Sequence, residues 1–204
     1  MDNPKVPLNR AGIKRDIIVI GGSAGGVVAL KKLFAAFPTH FPVAVGAVLH
    51  RRALPGHLVA VLGDRSSLPI IEPCDGDALR QGTIYLAPAD HHMLFHEGRI
   101  GVRRGPKEHS TRPAIDTLFR SAAAAFGARV VGVLLSGCGD DGVRGMTAIE
   151  EGGGIGIVQD PKEAEMPSMP LNAIRHDHVR GVFRVEEMAS VLDALATGRT
   201  ANSA

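Results

Sequence analysis

The sequence predicts an α/β fold: a doubly wound, mostly parallel sheet with helices on both faces and one β-hairpin. Three observations carry that prediction. Apolar runs such as IIVI (17–20), VAVGAVL (43–49) and VVGVLL (130–135) are continuous rather than alternating, as in strands buried on both faces. They alternate with stretches of helical periodicity, the order that produces parallel strands joined by crossovers. Two of the runs break directly into glycine-rich loops, IGGSAGG (20–26) and SGCGDDG (136–142), turns of the kind that touch ligands in α/β proteins.

In chain order, Asp16 to Ile20 forms the first strand. Leu30, Leu33, Phe34 and Phe37 then fall at i, i+3, i+4 and i+7, the apolar face of a helix that Pro38 ends. Val43 to Leu49 is a second strand, followed by a short helix from Gly56 to Leu62. Leu68 to Glu72 and Thr83 to Ala87 are further strands. Met93 to His96 and Arg99 to Arg103, joined by Glu97 and Gly98, form a hairpin that interrupts the alternation. Pro113 to Phe126 is a helix with proline in its first turn. Arg129 to Leu135 is a buried strand, and the second glycine-rich loop leads into a helix that runs through Ile149. Gly154 to Gln159 is the last strand expected, and Leu171 to Arg175 and Glu186 to Ala196 are closing helices.

Composition limits the class. With 204 residues, 45% of them hydrophobic, the chain can bury one substantial core but not two. The expected organisation is a single domain over residues 16–197 between flexible tails at 1–15 and 198–204. A net charge of +2 lacks the concentrated basic balance of a nucleic-acid-binding protein. Cys74 and Cys138 match neither a disulfide framework nor a metal-ligand spacing, so no metal or other cofactor is expected. No signal peptide is visible, and no apolar run approaches the roughly 20 residues of a membrane helix. A cytoplasmic protein that is not membrane-inserted is expected.

Sites in open parallel sheets form outside the carboxyl ends of the strands. Ser23 follows the first strand, His50 follows the second, and Asp141 lies in the loop after VVGVLL. A serine, a histidine and a carboxylate brought to one edge by three strands are what a nucleophilic hydrolase needs. Residues 21–25 also satisfy G-x-S-x-G, a turn that exposes the serine oxygen beside backbone N–H groups. The competing reading is a nucleotide- or phosphate-binding module using the glycine loops. It fits less well: G-x-G-x-x-G fails in both registers, and the P-loop lysine is absent.

Taken together, IGGSAGG (20–26), the strand ending at His50, IYLAPADHHM (84–93), RPAIDTLFRSAA (112–123), VVGVLLSGCGDDGVRGM (130–146) and QDPKEAEMPSMPLNAI (159–174) resemble the catalytic domain of the bacterial chemotaxis protein-glutamate methylesterases, the CheB family. The resemblance runs in order from Asp16 to about Leu195. It implies a serine hydrolase that removes methyl esters from glutamate side chains on the cytoplasmic helices of chemoreceptors and can deamidate particular glutamines. It puts the nucleophile on Ser23, the histidine on His50 and the aspartate on Asp141, which directly precedes Gly142. The oxyanion-hole candidates are the backbone N–H groups of Ala24, expected at the helix N-terminus, and of Cys138, where the family usually has methionine. Full-length members carry a phosphorylatable receiver domain, for which there is no room before Asp16; a standalone esterase or a piece of a larger protein is expected.

Other residues have plainer readings. Asp140 is expected to face solvent or cap its turn. His91 and His92 are expected at the surface, because adjacent strand residues point to opposite sides. Arg103, Arg104, Lys107 and Arg112 are expected to form a solvated basic rim, and Arg51 and Arg52 a solvated loop beside the site. Cys138 reads as small filler rather than a reactive thiol.

Overall fold

A computed structural model describes residues 12–51, 57–176 and 178–199. The expected tails therefore fall largely outside the described residues, as does Gly56, the expected start of the second helix. The core of the structure is a seven-stranded sheet in the order β3-β4-β2-β1-β7-β8-β9, every neighbouring pair parallel. Its strands are β1 (Ile17–Gly22), β2 (Ala44–Leu49), β3 (Ile70–Ile71), β4 (Thr83–Leu86), β7 (Val130–Leu134), β8 (Ile155–Gln159) and β9 (Gly181–Phe183). The expected hairpin is a separate antiparallel pair, β5 (His92–His96) and β6 (Arg99–Arg103).

Strand alternation sorts the core into two layers. Ile18 and Ile20 face one side with Leu30, Leu33 and Phe34 of α1 (Gly26–Ala35), Leu62 of α2 (Leu58–Gly63), and Met188 and Leu192 of α6 (Val185–Thr197). Ile17 and Val19 face the other side with Leu118 and Phe119 of α3 (Ile115–Phe126), Met146 and Ile149 of α4 (Val143–Glu151), Met169 of α5 (Ser168–Arg175) and Phe95 of the hairpin. Helices thus cover both faces, as continuous apolar strands require.

Three differences from the expected elements have local causes. β3 is two residues long rather than five, because only Ile70 and Ile71 pair with β4. β9 went unforeseen: its three residues are too few to display a period and are extended by pairing with β8. α5 starts at Ser168, three residues before the expected Leu171; Pro170 lies in its first turn, where a missing N–H is harmless.

The chain winds outward from β1 in both directions. β2 lies on one side of β1 and β7 on the other, and their following helices, α1 after β1 and α4 after β7, lie on opposite faces of the sheet. The switch point is therefore between β1 and β7, and both glycine-rich loops emerge there.

Candidate active site

Ser23 follows β1 directly, and the second glycine-rich loop holds it in place. The Ser23 N–H donates to Ser136 O at 2.9 Å, and the Ser136 hydroxyl donates to Ala24 O at 2.7 Å. The same hydroxyl accepts the Met166 N–H at 2.9 Å, and the Ser136 N–H donates to the Gln159 side chain at 2.8 Å. The two loops approach so closely that a Cβ at Gly137 would lie 2.9 Å from Ser23 Cβ and 2.6 Å from Met169 Cε. Gly25 has φ +76°, a left-handed conformation that L side chains rarely adopt, and a Cβ there would strike the Ser136 hydroxyl at 2.5 Å. These glycines clear space for the serine loop rather than cradle a ligand.

Ala24 does not stand at the helix N-terminus as expected. α1 begins at Gly26 with Gly25 as its N-cap, so Ala24 precedes the helix. Among the described residues, neither the Ala24 N–H nor the Cys138 N–H has an intramolecular acceptor, and both residues are exposed. Two free backbone donors thus flank Ser23, one from each loop. The Ser23 hydroxyl likewise makes no hydrogen bond among the described residues.

His50 leaves β2 beside β1; its N–H donates to Gly22 O at 3.1 Å. Its Nε2 lies 2.7 Å from Asp141 Oδ2. Asp141, 2% exposed, also accepts the Ile115 N–H on Oδ2 at 2.8 Å and the Asp116 N–H on Oδ1 at 2.9 Å. Burial opposes its ionisation, but the His50 hydrogen bond and these two amides outweigh that and hold the carboxyl below the usual carboxylate range. An ionised carboxylate only accepts, so Nε2 carries the proton and Nδ1 is left as the basic nitrogen.

The two amides bonded to Asp141 belong to the first turn of α3, which lacks a cap from its own N-cap residue, Ala114. Asp116, in that same first turn, accepts the Gly142 and Gly145 N–H groups at the start of α4, at 3.0 and 2.6 Å. Each aspartate therefore caps the helix next to the other, so that the orphan amides and positive ends of both helices are satisfied reciprocally. These carboxylates occupy the position a phosphate would take at the N-termini of α3 and α4, the second of which follows the second glycine-rich loop.

Sequence reasoning missed Asp116 and His109. His109 Nε2 lies 2.9 Å from Asp116 Oδ2, and its Nδ1 lies 3.2 Å from Asp140 Oδ1. Asp140 is 71% exposed at its side chain and takes no part in orienting His50. His109, Asp116 and Asp141 present atoms of metal-ligand type within 4.8 Å of one another. The aspartate oxygens already accept N–H groups, however, so a cation would have to displace capping bonds. Burial, more than the Asp141 charge beside it, raises the Asp116 pKa. No local signal in PAID identified Asp116 as a cap for a helix 26 residues away.

Three surface expectations are corrected. His92 is 4% exposed rather than at the surface; its Nε2 meets Pro106 O at 2.8 Å, and its Nδ1 accepts the Ala114 N–H at 3.3 Å. Arg112 is not part of a solvated rim. Its side chain is 14% exposed and clamps Asp90 Oδ1 through Nε at 2.9 Å and Nη2 at 2.6 Å. Both residues are drawn inward by partners distant in sequence. Arg51 does not lie in a solvated loop either: its side chain is 14% exposed, paired with Glu72 and donating to Ala87 O at 3.2 Å, while Arg52 lies outside the described residues.

Comparison with known proteins agrees with this architecture. The CheB methylesterase family matches residues 18–192. A Moorella thermoacetica protein named protein-glutamate methylesterase/protein-glutamine glutaminase is 35% identical over 200 residues, covering 95% of this chain and 47% of that protein. A Leptospira interrogans protein named provisionally for the same two activities is 33% identical over 178 residues, covering 86% of this chain and 92% of its own. The chain thus spans nearly all of one relative and about half of the other. The solved CheB methylesterase catalytic domain of Thermotoga maritima superposes with a TM-score of 0.84 at 28% identity, covering 90% of this chain and all of that domain. The fold, the paired glycine loops at its switch point and these likenesses together mean that the chain belongs to the CheB methylesterase family.

Proposed function

We propose that the protein hydrolyses methyl esters of glutamate side chains on protein substrates, the methylated cytoplasmic helices of chemoreceptors, with Ser23 as nucleophile, His50 as general base and Asp141 as its orienting carboxylate. One observation carries this reading: the 2.7 Å bond from His50 Nε2 to a buried, ionised Asp141. It turns Nε2 towards the carboxylate and leaves Nδ1 as the other ring nitrogen at the carboxyl edge of the sheet, where β1 leads into Ser23.

The steps follow from acyl-transfer chemistry. Nδ1 takes the Ser23 proton as Oγ bonds to the ester carbonyl carbon. The free N–H groups of Ala24 and Cys138 stabilise the developing oxyanion. The bond to the methoxy oxygen breaks, and Nδ1 returns its proton so that methanol leaves. Water then gives a proton to Nδ1 and attacks the acyl carbon; the Oγ–C bond breaks and Ser23 recovers the proton. The same course with ammonia as leaving group would deamidate glutamine. No hydrogen bond joins Ser23 to His50 among the described residues; catalytic hydrogen bonds commonly tighten only once substrate is bound. The expected setting is the cytoplasm; among the described residues no helix is long and apolar enough to cross a membrane.

The test is methanol release from methyl-esterified receptor fragments by the purified protein, alongside labelling by a fluorophosphonate. Ser23→Ala is expected to abolish both, a loss on the order of 10⁶ in kcat. Retention of a tenth of the activity would remove Ser23 from the role.

A further inference from the structure

A cavity of about 180 Å³ opens beside His50, lined by Arg51, Asp90, Lys107, Ser110, Thr111 and Arg112. The strained backbone of the molecule gathers around it. Among the described residues, the non-glycine positions with positive φ are Asp90 (58°), His109 (48°) and Ser110 (61°). Two of these line the cavity and the third adjoins it. Strain of this kind persists where the surrounding structure enforces it, commonly at binding sites.

The charged groups of the lining other than Lys107 already have partners. Both Asp90 oxygens are taken, one by Arg112 and the other by Arg104 at 3.0 Å. Thr111 donates to Glu108 O and to Asp141. Arg51 is paired with the Glu72 carboxylate and with Ala87 O at 3.2 Å, yet among the described residues its buried Nε–H has no partner. Among the described residues, the Lys107 ammonium and the Ser110 hydroxyl have no partner. In and around the cavity, four cations, Arg51, Arg104, Lys107 and Arg112, face three carboxylates, Glu72, Asp90 and the buried Asp141, each already bonded within the protein.

We infer that this cavity is a carboxylate subsite that takes an acidic side chain of the protein substrate about one helical turn from the reacting ester. The inference rests on His50 being the catalytic base, since His50 also lines the cavity and so sets the distance. Side chains three or four residues apart lie side by side on a helix, which brings a neighbouring carboxylate into reach while the ester meets Ser23. Lys107 and Ser110 supply the open donors, and Arg51 adds field from a guanidinium already held in place. A glutamine at that position keeps a carbonyl acceptor for Lys107 and Ser110 but brings no charge to pair with the ammonium.

The test uses two methyl-ester helical peptides, identical except for Glu or Gln one turn from the esterified residue, and a third with Lys there. The intact protein is expected to favour the Glu peptide about threefold to fivefold in kcat/KM at low salt, with the preference shrinking as salt screens the pair. Lys107→Glu should reverse the preference towards the Lys peptide, which a merely structural lysine would not do. Equal kcat/KM for the Glu and Gln peptides, or an unchanged preference in Lys107→Glu, overturns the subsite while leaving the esterase reading intact. If no peptide is hydrolysed, the esterase reading has failed, and fluorescence-anisotropy binding of the same peptides decides the subsite separately. Tighter binding of the Glu peptide, reversed in Lys107→Glu, sustains it; equal binding ends it.

Discussion

The Asp141 corner and the Ser23 loop lie side by side but are held in different ways. Asp141 is buried, and both its oxygens are engaged by His50, Ile115 and Asp116. At Ser23 the backbone is tied down through Ser136, while the hydroxyl and the Ala24 and Cys138 N–H groups have no intramolecular partners among the described residues. The difference matches the chemistry proposed for each. A general base needs its tautomer and charge set beforehand. A nucleophile and its oxyanion donors must stay unsatisfied until substrate arrives, because groups already bonded within the protein cannot stabilise a new charge.

If that contrast is real, substitutions in the Asp141 corner should cost both stability and rate, whereas those in the Ser23 loop should cost mainly rate. The largest effect is expected from Asp141→Asn. An amide there turns an NH₂ group towards a backbone N–H and favours the wrong His50 tautomer. The loss should be about 10⁴ in kcat, with about 1–3 kcal/mol of stability. Asp140→Asn is expected to change either quantity only slightly, so measuring both variants at pH 7 with melting temperatures alongside checks the assignment. A crippled Asp140→Asn beside a healthy Asp141→Asn would reverse it.

Asp116→Asn separates capping from catalysis within the same corner. It weakens the bonds to Gly142 and Gly145 and leaves the His50–Asp141 pair in place. A stability loss of about 1–3 kcal/mol with no more than about a tenfold loss in kcat is expected from denaturant unfolding and steady-state rates. An unaltered unfolding midpoint would show that the reciprocal caps do not hold the corner together.

Ser136→Ala probes the other side of the comparison. Its hydroxyl bonds to Ala24 O and the Met166 N–H are lost, about 1 kcal/mol, and kcat should fall several-fold as the serine loop loosens. Stopped-flow acylation by a chromogenic ester would detect this. A larger effect on unfolding than on acylation would mean that the Ser23 loop is as structural as the Asp141 corner.

The smallest effect expected is a pH dependence centred on His109. Burial disfavours its charge, but the hydrogen bond to Asp116 and the charges of Asp141, Asp116 and Asp140 outweigh burial and raise its pKa. A raised pKa means that the folded state binds the proton more tightly than the unfolded one. The stabilisation is therefore complete below about pH 6.5 and is lost as pH rises through the folded value. The melting temperature of the wild type should decline over that interval, and His109→Gln should flatten the decline by about 2–4 °C. Parallel curves for the two proteins would remove His109 as the source.

How far the sequence could be read depended on the range of the interaction. The long strands and α3 were legible because burial on two faces imprints a continuous apolar run, and burial on one side of a helix imprints a 3.6-residue period. β9 was not legible, because three residues carry no period and are extended only by pairing with β8. His92 was misread because Pro106 and Ala114, the partners that satisfy it in the core, come from other segments.

For the site, the sequence by itself put Ser23, His50 and Asp141 at the ends of β1, β2 and β7. In a parallel sheet, strand ends that share a direction share an edge. Only the tertiary structure decided that Asp141 meets Nε2 rather than Nδ1 of His50, that Asp116 and Asp141 cap each other's helices, and that Ser136 anchors the serine loop. Each of those contacts joins residues more than 20 positions apart, with bonds whose direction depends on how α3, α4 and the two loops pack. Local periodicity records which way a side chain faces, but it carries no information about which distant atom it will meet.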